Sequence, residues 1–544
     1  MMRKTTMITR GWAAILVLAM FVTACGGDDG DSSETTLGRI DQPATTMAAT
    51  ETTAGGPTAI AGGDKDRATE TTAAMSEEMA ETTAAPDEPA DTNFEDYGAN
   101  PFEDPLDDSL STFAVDVDTG SYTLMRAWLN DGYLPDPDSV RVEEYINYFD
   151  GGYPAPEDST FAIYADGGPT PYWDASNDIL RIGVKAREVS DRQRQDLNLT
   201  LVVDVSGSMG DENKLEMVQD ALAVLIEELD RLDTVGIVAY NTSARVVLEP
   251  TSVDDADDII DAIYALSAGG TTNAEAGLEL GYELADDSYQ RDAMNRVVLL
   301  SDGVANVGNT GPGSILEEIG ERALDGIDLV TIGVGISTYN DVLLEQLADK
   351  GNGWYAYVDT QAEAERLFRE QLTMSLETVA RDVKVQVEFD PEYVEGYRLI
   401  GFENRAIADD DFRDDSVDAG EINAGHTVTA LYELELTRDA YRTDAPLATV
   451  YLRWIDAETG RTDEIEGDIS SVLLADRFEE TSAEFQLVSS VAAYAEVLRN
   501  SRWVRGLDLT DVLDELEELP WRELDYEAAN EFFDLVSQAV RLEA

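Results

Sequence analysis

Leu199-Thr200-Leu201-Val202-Val203-Asp204-Val205-Ser206-Gly207-Ser208-Met209 is the stretch whose reading decides the fold. An apolar run broken only by Thr200 is the pattern of a buried strand. It stops at Asp-x-Ser-x-Ser, which presents three oxygen side chains on a turn whose sterics Gly207 relieves. Hard oxygen donors clustered in this way suit a small divalent cation such as Mg2+.

The surroundings repeat one alternation, from about 197 to 378. Leu215, Val218, Leu222, Leu225, Ile226 and Leu229 form a helical apolar stripe. Val235–Tyr240 and Arg245–Leu248 are short strands about the turn Asn241-Thr242-Ser243, and Ile259, Ile260, Ile263 and Leu266 mark another helix. Arg296–Leu300 is a buried strand ending at Ser301-Asp302-Gly303; Leu329–Gly335 and Trp354–Val358 follow. The alternation predicts an α/β fold, a doubly wound and mostly parallel sheet with helices on both faces. Ligands bind such sheets at the carboxyl ends of the strands. Asp204, Ser206 and Ser208 follow one strand there and Asp302 another, while Gly269-Gly270-Thr271-Thr272-Asn273 opens a helix between them.

Each piece alone is common in loops; all of them, in this order at predicted strand ends, are specific. Together they resemble the metal-ion-dependent adhesion site of von Willebrand factor type A domains. The resemblance implies a Rossmann-like fold in which Ser206 and Ser208 ligate the metal through their hydroxyls. Thr272 joins directly or through water, and Asp204 and Asp302 supply charge, largely through bound waters. Thr272 is preferred over its neighbour Thr271 because its spacing to Leu278 matches the family pattern. The implied cation is Mg2+, with Mn2+ or Ca2+ as alternatives, and an acidic side chain of a protein partner completes its coordination.

The net charge of −75 argues against nucleic acid or anionic membrane surfaces as electrostatic partners. Hydrophobic residues, at 43%, suffice for real cores in several domains. Arg3, Lys4 and Arg10, the apolar Gly11–Val22 and the sequence Val22-Thr23-Ala24-Cys25 read as an export signal over 1–25. Its apolar core falls short of the roughly 20 residues that a spanning helix needs. Small residues directly before Cys25 resemble the lipobox of bacterial lipoproteins. They imply a diacylated Cys25 and an extracytoplasmic protein anchored to the cell membrane by lipid. Cys25 is the single cysteine, so no thiol remains for a disulfide, a zinc site or a nucleophile. Residues 26–93, rich in Thr, Ala, Gly, Asp and Glu with repeated Glu-Thr-Thr triplets, read as a disordered tether.

Residues 94–190 read as a small α+β module that begins with a strand over Ser111–Asp118 and two helices, one after Thr119 and one over Val140–Phe149. The Asp116-x-Asp118 pair lacks the distal Glu of an EF-hand and reads as turn hydrogen bonding. Residues 379–544 read as a β-rich and helical region: Val383, Val385, Val387 and Phe389 alternate, whereas Phe485, Val488, Val491 and Ala492 form a helical stripe. Phe113–Tyr122 with Arg141–Phe149, and Glu403–Arg405 with Asp418–His426, resemble the modules flanking a type A domain in a bacterial lipoprotein-like family. The last of these has a domain of obscure function. No phosphate loop exists, and the lone His426 has no Ser or acid framework about it. The expectation is a binding protein rather than an enzyme, with a cell-envelope scaffold holding a structural metal as the alternative.

Overall fold

The parallel strands predicted around Asp204 form one sheet. The computed structural model describes residues 38–39, 94, 96–115, 118–189, 194–291, 293–303, 316, 319–320, 322–323, 326–335, 341–368, 377–417, 419–524 and 526–543. The export signal, Cys25 and all of the tether except Gly38–Arg39 lie outside the described residues.

In chain order the strands are β1 (Gly38–Arg39), β2 (Leu110–Ala114), β3 (Phe161–Pro169), β4 (Asp178–Ala186), β5 (Asp196–Asp204), β6 (Thr234–Tyr240), β7 (Ala244–Ser252) and β8 (Ala293–Ser301). They continue with β9 (Ile327–Val334), β10 (Tyr355–Val358), β11 (Thr378–Phe389), β12 (Val394–Ile400), β13 (Gly420–Asn423), β14 (Thr427–Leu436), β15 (Pro446–Asp456) and β16 (Thr462–Ser470). The helices are α1 (Gly120–Asn130), α2 (Val142–Asn147), α3 (Lys214–Glu228), α4 (Ala256–Tyr264) and α5 (Ala274–Asp287). After them come α6 (Asp341–Lys350), α7 (Gln361–Arg366), α8 (Ala483–Leu498), α9 (Leu509–Leu516) and α10 (Glu527–Glu543).

The central sheet has the order β10-β9-β8-β5-β6-β7, parallel except for the β6–β7 hairpin. Strands β10, β9, β8, β5 and β6 are buried along nearly their whole length because both faces are covered, whereas the edge strand β7 has no buried residue. One core packs Leu201 and Val203 of β5 against Leu222 and Ile226 of α3 and Ile263 of α4. The other packs Val202 and Leu299 against Leu278 and Tyr282 of α5 and Leu344 of α6. From β5 the chain winds outward to β6 and β7, then returns to the opposite side as β8, β9 and β10. The reversal between β5 and β8 is the topological switch point, where the carboxyl ends of two strands open a crevice.

The flanking segments do not fold as two separate modules. β3 and β4, from residues 94–190, lie in one antiparallel sheet with β14 and β12, from residues 379–544, in the order β1-β3-β4-β14-β12. Ile182 of β4 pairs with Ala430 of β14. The second antiparallel sheet, β13-β11-β15-β16, takes β2 onto β11, with Phe113 opposite Val385. The inner faces meet in one sandwich core containing Ile163, Ile182, Val385, Val450 and Trp454. Burying each such side chain stabilises the sandwich by about 1.5–3 kcal/mol. The outer face of the first sheet, at Ile179, Ile400 and Leu431, is covered by α2, α8 and α10 through Tyr145, Val491 and Phe532.

Helix α1 joins the two halves. Leu124 and Ala127 sit in the second core of the central sheet, and Met125 and Leu129 in the helical layer. The contact with β10 is close: a Cβ at Gly120 would lie 2.1 Å from a ring carbon of Tyr355. Asp118 Oδ1 accepts from the Tyr355 amide at 2.9 Å, and Arg405 Nη2 approaches Asp118 Oδ2 at 3.2 Å. This aspartate therefore satisfies an amide of the sheet's edge strand β10, a long-range bond rather than the local turn bond expected of its segment; Asp116 lies outside the described residues.

Candidate metal centre

Asp204 is the last residue of β5 and Asp302 the first after β8, so strand pairing alone brings the two carboxylates to one rim. Both are buried, at 0% and 1% exposure. Asp204 Oδ1 accepts from the Ser206 amide at 2.7 Å, which bends the chain back over the strand end. Its Oδ2 lies 3.0 Å from the Ser301 hydroxyl. From there the oxygens run in a chain. Ser206 Oγ and Ser208 Oγ are 3.0 Å apart, and Ser208 Oγ donates to Asp302 Oδ1 at 3.0 Å. The other oxygen of Asp302 receives Lys214 Nζ at 3.2 Å.

The third segment arrives by backbone bonds. The Gly269 amide donates to Val205 O at 2.8 Å and the Gly207 amide to Gly270 O at 3.0 Å. Asn241 Nδ2 holds Gly269 O at 2.6 Å from the β6–β7 turn. The two neighbouring threonines then separate in role. Thr271 is exposed, and its hydroxyl and amide both donate to Thr242 Oγ1, each at 3.1 Å. Thr272 is half-buried beside the Asn273 side chain that caps α5 by accepting from the Ala276 amide at 3.2 Å. All five site residues predicted from the sequence therefore stand on three loops tied to one another at the switch point.

The electrostatics are those of two buried carboxylates sharing one crevice. Burial pushes the Asp204 carboxyl up to about 6, and Asp302 adds to the rise, while the Ser206 and Ser301 bonds hold it down. Burial and then Asp204 raise the Tyr240 phenol at the floor of the site, so it stays neutral. Among the described residues no group of three or more His, Cys, Asp and Glu comes together. The donor set is two carboxylates plus hydroxyls, all oxygen, which fits a hard cation and excludes zinc-like coordination by thiolate or imidazole.

Sequence reasoning overlooked four contributors. Ser301 orients Asp204, Asn241 and Thr242 fix the glycine loop, and Lys214 reaches Asp302. Ser301 and the Asn-Thr-Ser turn were visible at strand ends. Lys214 carried no signal because it begins an ordinary amphipathic helix.

Comparison with known proteins agrees with this architecture. Residues 198–370 match the von Willebrand factor type A domain, residues 88–181 a family described as von Willebrand factor, and residues 374–542 the C-terminal region of YfbK. The uncharacterized protein YfbK of Escherichia coli (strain K12) is 35% identical over 437 residues, covering 77% of this chain and 76% of its own. The uncharacterized protein sll0103 of Synechocystis is 33% identical over 192 residues, 35% of this chain and 44% of its own. A von Willebrand factor type A structure from Catenulispora acidiphila overlaps 68% of this chain and 88% of its own, at 16% identity and a TM-score of 0.39. Similarity to YfbK extends well beyond the central domain into the segments that build the sandwich. The chain belongs to the YfbK family of proteins, built around a von Willebrand factor type A domain.

Proposed function

We propose that this protein is a binding protein, not an enzyme, that captures a protein ligand through a divalent cation at the switch point of its type A domain. Ser206, Ser208 and Thr272 hold the cation, Mg2+ with Mn2+ or Ca2+ as alternatives that the same oxygen donors suit, and Asp204 and Asp302 balance its charge. The observation that carries this is the continuous oxygen chain Ser206–Ser208–Asp302, assembled from loops distant in sequence at one crevice. When bound, the cation supplies a Lewis-acidic position for a carboxylate of the partner. The residues of the site orient oxygens and keep the carboxylates out of bulk water. The one histidine, His426, precedes β14 in the antiparallel sheet. A strongly acidic protein meeting an acidic side chain needs a cation between the two. The same proposal places the protein outside the cytoplasmic membrane, anchored through a lipidated Cys25.

The test is capture of partners by the full-length protein with Mg2+ and with chelator, alongside Asp204→Ala/Ser206→Ala. Mg2+-dependent capture that the double variant loses, while its metal-free form still melts cooperatively and no lower than the wild type, supports the reading. Partners retained by the variant would instead favour a scaffold in which the metal is structural. Fatty-acid labelling that persists in Cys25→Ala would rule out the anchor.

A further inference from the structure

Lys214 occupies a position that ordinary helix chemistry disfavours. It opens α3, where the helix dipole repels a cation, and it is 2% exposed, where burial penalises any charge. Two features accommodate it. Its ammonium lies 3.2 Å from Asp302 Oδ2, on the side of that carboxylate opposite Ser208. The turn after β9 also makes room for its stem: Gly335 has φ +81°, and a Cβ there would stand 2.3 Å from Lys214 Cε. The fold thus spends a left-handed glycine and a helix start on delivering one positive charge to the metal centre.

The consequence follows from the charges of the three groups. Asp204 and Asp302 with Lys214 leave a single net negative charge, which a divalent cation converts to a single positive one. Without the lysine the same cation would neutralise the carboxylates, and the loaded site would hold no surplus to attract an anion.

We propose, on the basis of the metal-dependent reading above, that Lys214 shifts the site's affinity from cation to anion: it weakens a divalent cation bound alone and strengthens a carboxylate at the loaded site. The site binds a divalent cation weakly alone and more tightly together with a carboxylate. Lys214 is a positioning residue that acts through Asp302. Because coupling between two ligands is reciprocal, a carboxylate that gains from the cation must strengthen cation binding by the same factor.

The experiment is a Mn2+ titration followed by electron paramagnetic resonance, on the full-length protein in metal-free buffer, with acetate or with chloride at equal ionic strength. For the wild type, acetate should tighten Mn2+ binding by about tenfold, the scale of one nearby charge in a partly buried site. Lys214→Met should bind Mn2+ about tenfold more tightly in chloride and need about tenfold more acetate for the same tightening; Lys214→Arg should behave as the wild type. Weaker Mn2+ binding by Lys214→Met would overturn the proposal, showing that the lysine only aligns Asp302. Indifference of the wild type to acetate would overturn it without reference to any variant, so misfolding of Lys214→Met, checked by melting in chelator, does not protect it. A wild type that binds no Mn2+ in either buffer sinks the metal-dependent reading and this proposal with it. A wild type that binds Mn2+ without the coupling leaves the former standing.

Discussion

Replacing Arg126 with Met should loosen the joint between the type A domain and the helical layer by about 3–5 kcal/mol, the cost of breaking a buried ion pair. The guanidinium is 3% exposed and donates to both oxygens of Asp359, at 2.8 and 2.6 Å. It also reaches Glu363 at 2.8 Å, Tyr148 at 2.9 Å and Glu531 at 2.9 Å. The legs are unequal. Asp359 and Glu363 are 2% and 3% exposed, whereas Glu531 is 39% exposed and contributes little after solvent screening. Burial already pushes the Asp359 carboxyl above its usual range despite Arg126. Burial would raise Glu363 as well, but Arg366 and then Arg126 outweigh it and hold it low. Without Arg126 both carboxyls rise, so the folded variant binds protons that the unfolded chain releases. Its stability therefore increases as pH falls, and the deficit should narrow between pH 8 and pH 5. Hydrogen exchange of peptides spanning β10 and α10 reads the joint directly: a loss of about 3 kcal/mol accelerates exchange roughly a hundredfold. A loss below about 1 kcal/mol at pH 8, or one that does not change with pH, would refute this account of the joint.

Other outcomes follow from particular contacts. Gly120→Ala favours a helix by propensity, but its Cβ would collide with the Tyr355 ring, so it should lower stability by about 1–3 kcal/mol in a thermal melt; an unchanged melt would show that α1 can move off β10. Asp204, whose carboxyl sits at about 6, makes the metal-free protein less stable as pH rises from about 4 through 6, by about 3 kcal/mol in full. Asp204→Asn should abolish that slope in chelator, as urea unfolding would show. His426 has the opposite sign: burial, with Lys185 and Arg296, depresses it to about 4, so stability is lost as pH falls from 6.5 through 4. His426→Gln should flatten that decline. A chain ending at residue 378 should keep the central sheet but leave β3 and β4 without β14, giving proteolysis confined to residues 94–190.

The central domain was legible because its strands are buried on both faces and its helices on one, which gives each a distinct periodicity. Asp204, Ser206, Ser208 and Asp302 were legible for the related reason that parallel strands deliver their carboxyl ends to one rim. The flanks were harder to read. Phe161–Ala165 and Ile179–Val184 alternate as strands should, but nothing local states that Ile182 pairs with Ala430. Such pairings are decided by long-range packing. The buried arginines escaped as well, since Arg126, Arg181 and Arg398 look like surface charges until their carboxylate partners are located. Lys214 is the same case inside the site, where a helix-starting lysine becomes meaningful only with Asp302 beside it.

The sharing of strands between the two ends of the chain also sets an order of assembly. In an exported chain β3 and β4 emerge across the membrane before β14; residues 187–426 must follow first. Within that interval lies the type A domain, whose central sheet, among the described residues, takes no strand from outside and can close while the rest of the chain emerges. β4 meanwhile presents an unpaired edge, carrying Ile179, Leu180, Ile182 and Val184, to any other nascent chain. The finished type A domain acts as a spacer of fixed size that returns the chain, at β11, to a sheet left half built. Conditions that slow emergence of the last third of the chain should therefore give aggregation seeded at β4, even though the sequence of β4 itself is sound.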